Sequence, residues 1–328
     1  MKVLITGGAG FLGQRLAREL LARGQLKGPD GQRQTINELV LLDVVRPVDF
    51  GDRRVRAETG DISDRSVLER VIDTKTEAIF HLAAIVSGQA EADFDLGMRI
   101  NLDASRLLLD ACRARGHKPR VVFTSSVAVY GGELPDVVQN DTALNPQSSY
   151  GAQKAIAELL LNDYARRGFV DGRVLRLPTI SVRPGKPNAA ASSFASGIIR
   201  EPLNGETAVC PVAGSTRLWL LSPRKAIECL IAGCEIGAEA LGNQRTINLP
   251  GLSVSVDDMI DALREVAGEE VVKRIEWQAD PRVEKIVGSW PGQWNTSRAT
   301  QLGLAGDRTF ADVIRGYIED ENLSITPR

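Results

Sequence analysis

Seven residues near the start constrain this chain more than any others: Gly7-Gly8-Ala9-Gly10-Phe11-Leu12-Gly13. They follow a short apolar strand at 3–6. They precede a helix over 11–23, where Leu12, Leu16, Leu20 and Leu21 share one face. Glycine permits the tight turn and lets the backbone approach a ligand closely. The helix start then offers free N–H groups and the positive end of its dipole. In this strand–turn–helix context, the spacing G-x-x-G-x-x-G predicts a dinucleotide diphosphate held by Gly7, Gly10, Phe11, Leu12 and Gly13. The competing reading is a glycine-rich turn with no ligand.

The pattern downstream fits such a start. Strands are expected at 39–43, 54–58, 78–82, 121–125 and 173–177. Helices are expected at 66–72, 93–115 and 149–167, and a polar loop insertion at 25–37. Strands alternating with helices imply βαβ units and right-handed crossovers. The expected fold class is α/β, a Rossmann-type doubly wound parallel sheet with a smaller C-terminal substrate-binding lobe. Residues 1–177 form the expected dinucleotide-binding domain. From 178 to 328 the alternation weakens, and this part reads mainly as the substrate lobe, with some elements returning to the main sheet. The small polar stretch 188–193 suits a mobile loop over a site.

Composition excludes several classes. With 40 basic and 42 acidic residues in 328, nothing draws the chain to nucleic acid or an anionic membrane. No apolar run is long enough to span a bilayer, and the first residues lack a secretion signal. Four scattered cysteines (Cys112, Cys210, Cys229, Cys234) and two histidines do not make a metal site; free thiols in a reducing cytoplasm are expected.

Asp43 ends the second strand, where a carboxylate can accept from ribose hydroxyls and repel a 2′-phosphate. That favours NAD over NADP, although Arg46 is close and a solvated strand-end Asp is the alternative. Tyr150 and Lys154 stand four residues apart, so on a helix they share a face. A cation within about 4–6 Å lowers a neighbouring acid's pKa by roughly 1–3 units. Tyr150 is thereby expected to act as the base for a substrate hydroxyl whose carbon gives up a hydride. Thr124-Ser125-Ser126 follows an apolar strand, at the C-terminal end of the sheet's strands, where ligands bind. A serine there can hold the reacting oxygen, or simply cap a helix.

Taken together, T-G-G-A-G-F-L-G at 6–13, G-D-I at 60–62, H-L-A-A at 81–84, S-S-V-A-V-Y-G at 125–131 and Y-G-A-Q-K at 150–154 resemble the extended short-chain dehydrogenase/reductase family. The resemblance covers essentially the whole chain. It implies NAD as cofactor and a catalytic set of Ser126, Tyr150 and Lys154, with Ser125 beside it. It also implies cofactor contacts at Asp61, Ile62, Leu82, Ala83, Ala84, Asn101 and Pro178. Thr179 departs from the family, where many relatives carry Asn, and hints at a changed substrate. A homodimer through the 93–115 helix and the helix carrying Tyr150 is implied as well.

Most extended members act on nucleotide-diphosphate sugars. A dehydratase is expected to carry an acidic pair where this chain has Ser125-Ser126. The run Arg183-Pro184-Gly185-Lys186-Pro187-Asn188 replaces the usual entry to a nucleotide-binding region. The stretches 83–97, 177–194 and 217–224 resemble a group of relatives that oxidise the C2 hydroxyl of a four-carbon sugar acid. The expected substrate is therefore a small sugar acid. Its carboxylate needs a cation, and Arg183 and Arg217 are the candidates, against ordinary salt bridges. Ser87 can bind a substrate hydroxyl or cap its loop, and Trp219 can wall the pocket or sit in the core. The rival readings are a nucleotide-diphosphate-sugar 4-epimerase with tightly bound NAD, and a non-catalytic cofactor-binding sensor.

Overall fold

The computed structural model describes residues 1–187 and 190–324. Its centre is a seven-stranded sheet of β1 (Lys2–Thr6), β2 (Glu38–Asp43), β3 (Val55–Thr59), β4 (Thr76–His81), β5 (Arg120–Ser126), β6 (Asp171–Leu177) and β7 (Thr246–Asn248). The order across the sheet is β7-β6-β5-β4-β1-β2-β3, and every adjacent pair is parallel. The order reverses between β1 and β4, which opens a crevice at the strand C-termini.

Alternation within the strands explains the two layers of helix. Val3, Ile5, Leu39, Leu41 and Phe80 face one core with α1 (Phe11–Arg23). Leu4, Val40, Leu42, Ile79 and Phe123 face another, covered by α2 (Arg65–Val71), α3 (Ala104–Arg115) and α4 (Ser149–Arg166). The later chain rejoins this body twice. β7 pairs with β6, and α5 (Pro223–Glu235) packs Ile227, Leu230 and Ile231 into the first core. The rest builds its own core from Ile198, Leu218, Leu220, Met259, Leu263 and Ile314 around a small sheet of Thr179–Ile180, Arg217–Leu221 and Leu252–Ser255.

Two local expectations are corrected. The 25–37 stretch is an antiparallel hairpin of Gln25–Lys27 and Arg33–Thr35, not a plain loop. Leu26 and Ile36 are fully buried and anchor it, despite its polar composition. The expected 93–115 helix is a short helix Phe94–Gly97, a π turn Met98–Asp103 and then α3. Asn101 lies in that turn and points inward, where its amide accepts from Ile85 N and donates to Gln153 Oε1. Asn188, at the end of the basic run and the start of the expected mobile loop, lies outside the described residues. The four cysteines are buried free thiols. Among the described residues no helix is long and apolar enough to cross a membrane, and no group of three or more His, Cys, Asp or Glu is arranged to hold a metal ion.

Candidate active site

The glycine run sits in the crevice. Gly7 has φ +74°, and a Cβ there would lie 2.9 Å from the Ala83 nitrogen, so β1 and the end of β4 touch through bare backbone. Gly10 caps α1 without any side-chain hydrogen bond, and the first turn holds no acidic residue. Gly7, Gly10, Phe11, Leu12 and Gly13 face a cavity of about 360 Å³ whose other wall includes Arg183, Lys186 and Arg200. Free N–H groups, a dipole end and facing cations suit a diphosphate, so the residues fit the dinucleotide expected from the sequence.

Asp43 braces this turn. Its carboxylate accepts from Ala9 N (3.0 Å) and Val45 N (3.2 Å), which leaves lone pairs for ribose hydroxyls. Asp61 accepts from Ser63 N and Oγ and pairs with Arg99 at 2.7 Å, while Ile62 is buried in the core. Neither lines the cavities described here. Leu82 and Ala84 do, and Ala83 stands behind them against Gly7. Asn101 does not reach the cavity. Its side chain accepts from Ile85 N (2.8 Å) and donates to Ile85 O and Gln153 Oε1, so it holds the loop after β4.

A second cavity, of about 230 Å³, continues from the first and shares Leu12, Leu82, Thr124 and Arg183 with it. Tyr150, Lys154, Ser125 and Ser126 line it, together with Ser87, Pro178 and Thr179. Ser148 caps α4 and so starts it where Tyr150 and Lys154 share the inward face. Lys154 is 1 % exposed, donates from Nζ to the Thr124 carbonyl (3.0 Å) and lies 5.8 Å from the Tyr150 ring centre. Ser126 lines the same cavity as Tyr150, and its Oγ accepts from Ala128 N (3.2 Å).

The electrostatics differ from the sequence expectation in sign. Burial dominates and pushes the Tyr150 phenol up to about 12, against smaller downward pulls from Ser126 and from the Arg183 charge. Burial pulls the Lys154 ammonium down to about 8, partly opposed by Glu158 one turn along.

Arg183 and Arg217 separate clearly. The Arg183 guanidinium faces both cavities and has no hydrogen-bond or ion-pair partner among the described residues. Burial and the neighbouring Arg200 pull it below its ordinary pKa, and Tyr150 opposes this. Arg200 itself is paired with Glu201, so Arg183 carries the uncompensated charge. Arg217 is half exposed, donates to Ser253 and faces Asp258 at 3.8 Å, away from the cavity walls. It is an ordinary surface cation. Ser125 Oγ is buried without a partner among the described residues, whereas Ser87 Oγ accepts from Ala191 N (3.2 Å). Trp219 lies in the core, against Trp294 and bonded to the Leu249 carbonyl. The tryptophan at the cavity is Trp290, which sequence reasoning missed; only its setting between Gly288 and Pro291, outside any strong periodicity, marked it.

Similarity to known proteins is consistent with this geometry. The pattern of the NAD dependent epimerase/dehydratase family matches residues 3–220. The chain is 68% identical to a D-erythronate dehydrogenase of Cupriavidus necator, over 99% of this chain and 100% of that protein. It is 48% identical to a D-erythronate dehydrogenase of Haemophilus influenzae, over 97% and 99%. A solved structure described as a nucleoside-diphosphate-sugar epimerase, from Agrobacterium tumefaciens, superposes with a TM-score of 0.93 at 45% identity, covering 99% of this chain and 96% of that one.

Proposed function

The chain belongs to the NAD dependent epimerase/dehydratase family, and on that premise we propose that it oxidises the C2 hydroxyl of D-erythronate to the 2-oxo acid, with NAD as cofactor. The carrying observation is the Arg183 guanidinium, without a hydrogen-bond or ion-pair partner among the described residues, beside Tyr150, Ser125 and Ser126 at a cavity of about 230 Å³. A half-buried cation with no partner among the described residues calls for an anion, and the space suits a small acid. NAD, when bound, supplies the hydride acceptor at its nicotinamide ring.

The protein's own groups supply the rest. Arg183 holds the carboxylate, and Ser125 Oγ, Thr179 and Ser87 face the remaining hydroxyls. Ser126 holds the reacting oxygen against Tyr150. Tyr150 Oη takes the hydroxyl proton as the C2–H pair leaves as hydride and the C=O bond forms. Because burial holds the phenol protonated, its base form depends on the surrounding positive charges, Arg183 foremost. A homodimer is proposed through α3 and α4, where Ile156 and Leu159 stand exposed. The buried free thiols support a cytoplasmic location.

The test is NADH formation with D-erythronate set against interconversion of UDP-sugars. Net NADH with the free acid and none with UDP-sugars is expected; epimerisation of a UDP-sugar without net NADH overturns the proposal. For Arg183→Gln, KM for the acid should rise about 10-fold or more. A rise in the NAD Kd with the acid's KM unchanged would move Arg183 from the substrate to the cofactor.

A further inference from the structure

His81 is the last residue of β4, 2 % exposed, and the chemistry above does not use it. Its hydrogen bonds fix its tautomer. The Ser105 hydroxyl donates to the Asn101 carbonyl (2.8 Å), so it must accept from His81 Nε2, 2.9 Å away. Nε2 therefore carries the proton and Nδ1 accepts from the Thr6 hydroxyl (2.8 Å). The Thr6 oxygen then accepts from Ala83 N (3.3 Å). One neutral tautomer satisfies every member of this chain. A charged ring would break it, and would also face Lys154. Burial and that nearby ammonium hold the imidazole down to about 3.

Both ends of the chain lead to the site. Ala83 belongs to the strand end that walls the cavity. Asn101 is the inward-turned residue of the π turn, and its side chain clamps both polar groups of Ile85 and reaches Gln153 on α4. The backbone gives a third connection: Thr124 Oγ1 donates to the His81 carbonyl (3.1 Å), and the Thr124 carbonyl accepts from Lys154.

We propose that His81 is a positioning residue for the oxidation: its neutral, Nε2-protonated ring is a rigid spacer between β1 and the π turn, and it sets where residues 82–85 stand relative to Tyr150 and Lys154. The proposal uses the oxidoreductase reading only for its activity measurement; the spectroscopic and cofactor-binding measurements do not depend on the substrate.

The chain has two histidines, so ¹⁵N-histidine labelling gives two imidazoles, and His81→Gln assigns them. We expect His81 to show a neutral Nε2–H ring that does not titrate between about pH 5 and 9. His81→Leu loses both bonds, and both kcat and NAD affinity should fall about 10-fold or more, as when a wall of the site shifts by a fraction of an ångström. His81→Gln, with an amide at the ε position, and His81→Asn, with one at the δ position, should each recover part of the loss. If His81→Leu does not fold, Ser105→Ala breaks the bridge with the ring in place and should lower kcat about 5-fold or more. A ring that titrates near pH 6, or a protonated Nδ1, overturns the proposal. So does a folded His81→Leu or Ser105→Ala protein with kcat and NAD Kd within about twofold of the parent. Failure to oxidise D-erythronate, with the ring locked and NAD binding weakened in the variants, would sink the substrate assignment alone.

Discussion

Lys154 shows how a residue can serve the reaction at the expense of the fold. Its ammonium is enclosed, and burial outweighs the help of Glu158, because Arg176 already claims that carboxylate at 2.6 Å. The drop from 10.5 to about 8 corresponds to roughly 3 kcal/mol of unfavourable burial at neutral pH. Losing the bond to Thr124 offsets about 1 of that. Lys154→Met should therefore be inactive yet more stable at pH 6–7, by about 2 kcal/mol. The sign follows from linkage. Between about 8 and 10.5 the unfolded chain holds a proton that the folded chain has released, so parent stability gains as pH rises through that window. The advantage of the Met variant should shrink over the same window. Urea unfolding of both proteins at pH 6.5 and 10 checks this; a variant less stable than the parent at pH 6.5 contradicts it. Spacing alone made the Tyr150–Lys154 pair legible. The upward shift of Tyr150 was not, because it depends on enclosure by β5, α4 and the segment carrying Arg183, which are far apart in sequence.

At the scale of elements, the site depends on how closely α4 meets the turn after β5. Gly151 is the contact: a Cβ there would lie 2.1 Å from the Ala128 carbonyl oxygen and 2.9 Å from Pro146 Cβ. Backbone cannot give way as a flexible side chain can. Gly151→Ala should push the first turn of α4 off Val127–Val129 and part Tyr150 from Ser126, which immediately precedes that turn. We expect kcat to fall about 10- to 100-fold with a stability loss of about 1–3 kcal/mol; a kcat within about twofold of the parent would show that the helix start adjusts. Such contacts mark the boundary of what could be read from the chain. The doubly wound sheet was legible because its central strands, such as those at 3–5, 39–42 and 121–123, are apolar on both faces and its helices keep their period. The hairpin at 25–35 was hidden by its polar residues, since only Leu26 and Ile36 anchor it. The π turn was hidden because Asn101, which lies in it, bonds to Ile85 and Gln153, 16 and 52 residues away. Arg217 misled for the same reason: proximity in sequence to site elements did not fix which way its side chain turned.

For the whole molecule, the same helix faces two ways. α4 directs Tyr150, Lys154 and Glu158 inward, while Ile156 is 43% and Leu159 is 65% exposed on its outer side. They are three residues apart and so lie on one helical stripe. Neighbouring large apolar side chains on a helix surface mark an association site more often than a bare surface. A two-fold pairing of α4 and α3 with their copies would cover them and back the helix that carries the reactive pair. The parent should therefore sediment at twice the chain mass, with a Tm that rises with protein concentration. Ile156→Glu with Leu159→Glu should sediment as a single chain and lose that dependence, because two carboxylates per copy would be desolvated in the contact. Its NAD Kd should stay within about twofold of the parent, since the glycine turn and Arg183 are untouched. A parent that sediments at one chain mass, or a doubly charged variant that still pairs, would place the contact on another face. A variant that separates into single chains and also loses NAD binding would show that the partner does more than back the helix.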